Sequence, residues 1–344
     1  MKDKNKKFLK DYLDNSGTRY WVAPFLLFFA VCFAHSRSNL PFFESLGEIL
    51  IYTIQYGTPL CLFAIGASLV ISTGGIDLSS AGVGTMSGIL YALMLKFHWH
   101  WSLALFLCIC FGIVSGIIVG WCVTKRFAPA LIFTWALGLV YFTLSLSFAD
   151  GTIIKFDGAG RSGISGGGVI SFNEHFSLYV LGGLLLLVSF INYTGIQRKT
   201  AAVGANRDSA TYAGISVNRT VMWSYVMSAA LSALGGIFYF YVFGSARTGE
   251  LQNQELIAIA VAVIGGTSLS GGYINLQSVL CAGLFYFTFK NGLNNLNPAT
   301  SPHMQQQVIN LAFSIIFILI SIFFGKKLNG VTHSIQIFGQ TKNQ

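Results

Sequence analysis

The sequence has few charged residues. Only 10 % of its 344 residues are Asp, Glu, Lys or Arg, whereas ordinary soluble domains carry about 25 %. Hydrophobic residues make up 53 %, and long apolar runs recur from Tyr20 to Phe324. This pattern excludes a soluble multidomain chain and predicts an all-α polytopic membrane protein with about ten transmembrane helices.

The sequence also lacks the motifs of nucleotide hydrolysis and of metal binding. No G-x-x-x-x-G-K-[ST] or H-E-x-x-H is present, and "FGKKLNG" at 324–330 lacks the upstream glycine and the hydroxyl residue of a P-loop. The six cysteines lie inside apolar segments, and no pair has the spacing of a zinc site. We therefore expect no catalytic residue, no metal site and no cofactor, and we expect any ATP to be bound by a separate subunit.

Apolar runs of about 20 residues predict the membrane spans. The runs are 20–36, 47–71, 79–97, 100–123, 129–149, 176–194, 220–243, 254–270, 273–292 and 304–324. Ten spans place most of the 21 lysines and arginines on the side of the N-terminus, as the positive-inside rule requires. We therefore expect cytoplasmic termini at 1–19 and 326–344, a membrane domain over 20–325 and contact with lipid. Basic residues spread between apolar runs do not indicate nucleic-acid binding.

One acidic residue interrupts the apolar sequence. Asp77 is the only acid between Glu48 and Asp150, and it lies in the stretch "ISTGGIDLSSAG". An ionised carboxylate at the centre of a lone membrane helix costs about 2.5–3.5 kcal/mol on insertion scales. Gly74 and Gly75 can end the preceding helix because glycine adopts positive φ without steric cost. Asp77 therefore either caps the next helix or lines a polar path.

A weaker copy of this stretch follows later, since "GGIDLS" at 74–79 resembles "GGTSLS" at 265–270. Matched glycine-interrupted segments in two halves of a chain are typical of a transporter's binding site. The predicted path residues are Thr73, Gly74, Gly75, Asp77, Ser79, Gly265, Gly266, Thr267, Ser268, Asn291 and Asn294. The alternative is that both copies are tight turns and that "NGLNNLNP" is a polar loop. Both copies fall on the cytoplasmic side, which an inverted repeat would not allow.

The largest cytoplasmic segment in mid-chain is 195–219. Its core "ANRDSATYAGI" predicts a short helix with Asn206 as N-cap, Asp208 in the first turn and Gly214 as the stop. Such a helix can dock into a groove on a soluble partner or can rest on lipid headgroups.

Three segments carry a family resemblance when they are taken in order. They are "TGGIDLS" at 73–79, "VGANRDSATYAGISVNR" at 203–219 and "ELIAIAVAVIGGTSLSGG" at 255–272. The chain from about 50 to 325 resembles membrane subunits of bacterial ABC-type sugar importers, the ribose/galactose permease group. The resemblance implies a permease of the bacterial cytoplasmic (inner) membrane for a monosaccharide or sugar-like solute. It also implies three partners: an extracytoplasmic binding protein, an ATP-binding subunit, and a second permease chain that makes a homodimer or a homologous heterodimer.

The resemblance further implies that 195–219 is the coupling loop, whose short helix docks into the ATP-binding subunit. The coupling residues expected on this basis are Gly204, Asn206, Asp208, Ala210, Tyr212 and Gly214. Arg207 departs from the family, in which an acidic residue is common at this place. An ion-coupled secondary transporter is the alternative function, but Asp77 is the only acid well placed for it.

Overall fold

A computed structural model describes residues 42–125, 127–155 and 176–294, together with Pro24, Leu26, Ala30, Leu311 and Ile315. The predicted spans 20–36 and 304–324 lie almost wholly outside these residues. The predicted terminal segments 1–19 and 326–344 lie entirely outside them.

The described residues form ten α-helices and one pair of short β-strands. These are α1 (Phe42–Ser72), α2 (Ser80–Lys96), α3 (Trp101–Thr124), α4 (Ala130–Phe148), β1 (Ile154–Lys155), α5 (Phe176–Tyr193), α6 (Ile196–Ala205), α7 (Arg207–Tyr212), α8 (Val217–Phe243), β2 (Ser245–Ala246), α9 (Gln254–Ile264) and α10 (Leu276–Asn294). Helices α1 to α5 and α8 to α10 coincide with the eight predicted runs from 47–71 to 273–292. The largest difference is at α9, which ends at Ile264 rather than at residue 270.

Several helices are long and apolar enough to cross a membrane. Among the described residues, four meet this criterion by length and composition: Ile49–Ser72, Trp101–Thr124, Ala130–Phe148 and Val217–Phe243. Large apolar side chains on α4 and α5 are exposed, such as Ile132 at 59 % and Leu186 at 72 %. Exposed apolar surface of this extent is typical of helices that face lipid.

Helix α8 is at the centre of the bundle, where it packs against α1, α2 and α3. The helices approach closely because small residues lie at the crossings. A Cβ atom on Gly236 of α8 would lie 1.9 Å from the carbonyl oxygen of Gly84 on α2. On α3, a Cβ atom on Gly116 would lie 2.5 Å from the Cα atom of Val226 on α8. Larger residues at these positions would force the helices apart.

The two ends of the bundle carry different elements. At one end, β1 pairs antiparallel with β2, so that Ile154 lies opposite Ala246. This pair joins the segment after α4 to the segment after α8. With a cytoplasmic N-terminus, the ten predicted spans place both segments on the extracytoplasmic side. At the other end, α6 and α7 pack below the end of α1 and the start of α8.

Candidate translocation and coupling site

The break between α1 and α2 begins with a glycine turn. The N–H groups of Thr73 and Gly75 both donate to the carbonyl oxygen of Val70, at 3.0 and 3.2 Å. Gly74 has a φ of 81°, a conformation that glycine adopts without steric penalty. The chain then runs without helical structure until Ser80, where α2 begins. The predicted interruption of the apolar run is therefore a real break between two helices.

Asp77 lies inside this break and is only 3 % exposed. Its Oδ1 atom accepts hydrogen bonds from the backbone N–H of Ser79 at 2.9 Å and from the Ser79 hydroxyl at 2.6 Å. Its Oδ2 atom accepts a hydrogen bond from the Ser228 hydroxyl on α8 at 2.8 Å. Ser79 is the N-cap residue of α2, and its own side chain makes no capping bond. The carboxyl group thus orders the start of α2 and ties it to α8.

Neighbouring helices hold the rest of the break in place. The Tyr225 hydroxyl of α8 donates to the carbonyl oxygen of Ile76 at 3.4 Å. A Cβ atom on Gly75 would lie 2.6 Å from that same tyrosine oxygen, so a larger residue there would displace the Tyr225 hydroxyl. On the α4 side, the N–H of Leu78 donates to the Thr134 hydroxyl at 3.1 Å. The break is therefore fixed between α4 and α8.

Glycines from three distant segments meet below the end of α1. A Cβ atom on Gly204 of α6 would lie 1.9 Å from the carbonyl oxygen of Ser72. The same oxygen accepts a hydrogen bond from the N–H of Gly272 at 3.0 Å. A Cβ atom on Gly271 would lie 3.0 Å from the backbone nitrogen of Gly74. Both Gly-Gly segments therefore lie at the same end of the bundle, and α6 contacts the residues that flank them, Ser72 before the first and Gly272 after the second.

The two Gly-Gly segments are alike in sequence but not in backbone geometry. In the second copy, Gly265 ends α9 with a φ of −67°, and Gly266 has the positive φ of 91°. In the first copy, the positive φ is on the first glycine instead. Thr267 is buried, and its hydroxyl has no hydrogen-bond partner among the described residues. Ser268, the counterpart of Asp77, is hydrogen-bonded to the Ser270 hydroxyl at 2.9 Å.

Helix α7 forms where the sequence predicts a short capped helix. The Oδ1 atom of Asn206 accepts a hydrogen bond from the N–H of Ser209 at 2.9 Å. Gly214 has a φ of 79°, which ends the helix. Asp208 is exposed in the first turn, and Tyr212 is 92 % exposed. The cap and the stop are confirmed.

One residue of α7 anchors the helix to the bundle. Ala210 is buried in an apolar cluster that also contains Val70 at the end of α1 and Tyr225 of α8. The predicted coupling residues therefore fall into two groups. Asn206, Asp208, Tyr212 and Gly214 face outward, whereas Gly204 and Ala210 pack against the bundle.

The opposite end of the bundle carries an aromatic cluster that the sequence reasoning missed. Tyr52 and Tyr56 of α1 have ring centroids 4.4 Å apart, and Tyr56 lies 5.5 Å from Phe243 of α8. Tyr239 completes this aromatic cluster at 4.5 Å from Phe243. The sequence did contain a signal for this cluster. The two aromatic residues on α1 are four positions apart, as are the two on α8, and this spacing places both members of each pair on one face of their helix. Partial burial raises the pKa of Glu250 in the adjoining loop.

Asn291 and Asn294 lie at the end of α10, so this part of the polar run is helical rather than a loop. Their side chains are outside the described residues. No cluster of three or more His, Cys, Asp or Glu that could hold a metal ion occurs in the described part of the chain.

Comparison with known proteins identifies relatives of this chain. A family model described as the permease component of branched-chain amino acid transport systems matches residues 49–324. The ribose import permease protein of Bacillus subtilis is 32 % identical over 282 residues, which cover 81 % of this chain and 87 % of the relative. The ribose import permease protein of Escherichia coli is 24 % identical over 310 residues, with coverages of 88 % and 96 %. The galactofuranose transporter permease protein of Escherichia coli is 29 % identical over 282 residues, with coverages of 81 % and 81 %. No solved structure matches the chain.

Proposed function

Because this chain belongs to the permease family of branched-chain amino acid transport systems, we propose that it translocates a monosaccharide or sugar-like solute in an ATP-driven importer. It is a transport subunit of the cytoplasmic membrane and not an enzyme. Relatives that match four fifths of this chain or more are named as ribose and galactofuranose permeases, which supports a sugar as the solute.

The proposed topology has ten spans with both termini in the cytoplasm. Eight helices coincide with predicted spans, and the remaining two spans are predicted from sequence alone. In this topology α6 and α7 are cytoplasmic, and the β1–β2 pair is extracytoplasmic. The lysines and arginines around α6 and α7 support this orientation, since cytoplasmic loops are enriched in them.

One observation carries the mechanism: α6 contacts residues that flank both Gly-Gly segments, just before the first and just after the second. Gly204 packs on Ser72, and the side-chain amide of Gln197 donates to the carbonyl oxygen of Ile274 at 2.7 Å. An ATP-binding subunit that binds the outward face of α7 would therefore move both Gly-Gly segments together. Packed elements of this kind shift between discrete arrangements, as alternating access requires.

The solute would enter at the end that carries the aromatic cluster, after delivery by an extracytoplasmic binding protein. Aromatic faces offer a sugar an apolar surface, and tyrosine hydroxyls offer hydrogen bonds. Further along, Thr267 contributes a buried hydroxyl that has no partner among the described residues. Asp77 is a positioning residue of the break in this proposal, because its three hydrogen bonds are internal. A second permease chain completes the pore.

Solute uptake into proteoliposomes tests this function. The permease is reconstituted with its co-purifying ATP-binding subunit and its binding protein, and labelled monosaccharides are offered. We expect uptake that requires ATP and persists when ionophores dissipate ion gradients. Uptake by the permease alone, abolished by ionophores, would instead support the ion-coupled carrier.

A further inference from the structure

A cavity of about 440 Å³ opens between α6 and the first turns of α8. Ile196 and Lys199 line it from one face of α6. Arg219, Trp223 and Met227 line it from one face of α8, where they are spaced by four residues. The cavity is therefore a groove between two helix faces, and the loop residues 214–216 line it as well.

The polarity of this groove changes along its length. Lys199 and Arg219 are both exposed, and the lining contains no acidic residue. An α-helix rises about 1.5 Å per residue, so Met227 lies about 12 Å further along α8 than Arg219. Trp223 lies between them and is 53 % exposed. One end of the groove is therefore cationic, and the other end is apolar.

The cationic end also presents hydrogen-bond donors that suit a phosphate group. Ser216 is the N-cap residue of α8, and its side chain makes no capping bond. The start of a helix of 27 residues carries free N–H groups and the positive end of the helix dipole. Ser216 lines the same cavity as Lys199 and Arg219. The combination favours a phosphate-bearing anion over a neutral ligand.

We propose that this groove binds an anionic phospholipid, with its phosphate at Lys199 and Arg219 and an acyl chain along Trp223 and Met227. The shape of the groove distinguishes a lipid from a free phosphate, because a soluble anion would leave the apolar end unfilled. In the orientation proposed above, the cationic end lies at the cytoplasmic surface of the bilayer. Basic pockets between helices on this side of a membrane are suited to anionic headgroups.

The bound lipid would also hold α6 in a fixed position relative to α8. Thr200 of α6 and Ser224 of α8 are both buried in the lining of the same cavity. Since α6 contacts the residues that flank both Gly-Gly segments, a lipid in this groove would stabilise one position of the coupling loop.

Lipid affinity of the assembled, detergent-purified complex tests the proposal directly. Binding of phosphatidylglycerol and of phosphatidylcholine with identical acyl chains is measured by native mass spectrometry. We expect the Lys199→Gln/Arg219→Gln double variant to lose about 30-fold in affinity for phosphatidylglycerol, since each basic residue near a membrane surface contributes about five-fold. Arg198→Gln is the matched control, because Arg198 is exposed on α6 but does not line the groove. Equal losses in the double variant and the control, or no loss in either, would overturn the proposal.

Two further experiments separate the possible sources of the anion and do not depend on the variants of Lys199 and Arg219. Inorganic phosphate at millimolar concentration should not displace phosphatidylglycerol. Displacement would overturn the proposal, because it would show that the groove binds a soluble anion. In the wild-type complex, phosphatidylglycerol with brominated acyl chains should quench the fluorescence of Trp223, identified by its difference from a Trp223→Phe variant. Absence of this quenching would also refute the proposal. All arms are read without solute or transport, so they can fail or succeed independently of the importer function.

Discussion

Replacement of Asp77 separates its role in holding the break from any role of its charge in transport. Asp77→Ala removes the acceptor of three hydrogen bonds, two from Ser79 and one from Ser228. A hydrogen bond to a charged group contributes about 1.5–3 kcal/mol to stability. Alanine avoids the cost of burying a carboxylate, which offsets part of this loss. We expect a net loss of about 2–4 kcal/mol.

Asp77→Asn should be much milder. The amide oxygen can still accept both hydrogen bonds from Ser79, and the amide nitrogen can donate to the Ser228 hydroxyl. Thermal unfolding of the purified permease in detergent measures both variants. For a chain of this size, Asp77→Ala should lower Tm by about 3–6 °C, whereas Asp77→Asn should lower it by less than half as much.

A double-mutant cycle with Ser228→Ala checks the physical reason. If the Asp77–Ser228 hydrogen bond ties α2 to α8, the effects of Asp77→Ala and Ser228→Ala should not add, because both remove the same contact. Additive losses, or equal losses for the alanine and asparagine variants of Asp77, would refute this reasoning. Loss of uptake in Asp77→Asn at unchanged Tm would show that the negative charge itself acts on the path.

Two other predictions concern the glycine contact and the aromatic cluster. Gly204→Ala should cost about 1–3 kcal/mol or more through overpacking, because the new methyl group overlaps the Ser72 oxygen. Gly182→Ala should be neutral or slightly stabilising, since nothing lies within 4 Å of its Cβ position, and thermal unfolding compares the two. Tyr239→Ala and Phe243→Ala should each raise the KM for solute about three- to ten-fold. Uptake kinetics measure this effect against Trp135→Ala on the exposed face of α4, which should leave KM unchanged.

The helices of the bundle could be predicted because apolar runs of membrane length are a strong local signal. Helix α9 ends early because Gly265 caps it and the positive φ of Gly266 turns the chain, and the polar residues Thr267 and Ser268 follow. Helix α6 was missed because "IQRKTAAVGA" is too polar and too short to resemble a span. Its alanines favour a helix, and this was the signal available from the sequence.

The candidate site could be predicted only where its cause is local. Asn206 and Gly214 are a cap and a stop, and their roles depend on residues within a few positions. The resemblance to sugar importer permeases is likewise confirmed by the family match and the relatives. The role of Gly204 depends on Ser72 and Gly272, which are distant in sequence and meet only in the fold. Gly204 is therefore an internal packing residue, and a bulky substitution there would not test contact with a partner.

Photo-crosslinking from α7 tests the central claim most directly. Benzoylphenylalanine is placed at position 212, where the native tyrosine is 92 % exposed, or at position 153 near β1, where the native isoleucine is 47 % exposed. The account predicts that illumination of the assembled complex joins position 212 to the ATP-binding subunit, with a yield that changes when ATP binds. Position 153 should give no such product. Crosslinks to lipid alone at position 212, or equal crosslinking of the ATP-binding subunit from both positions, would contradict the account.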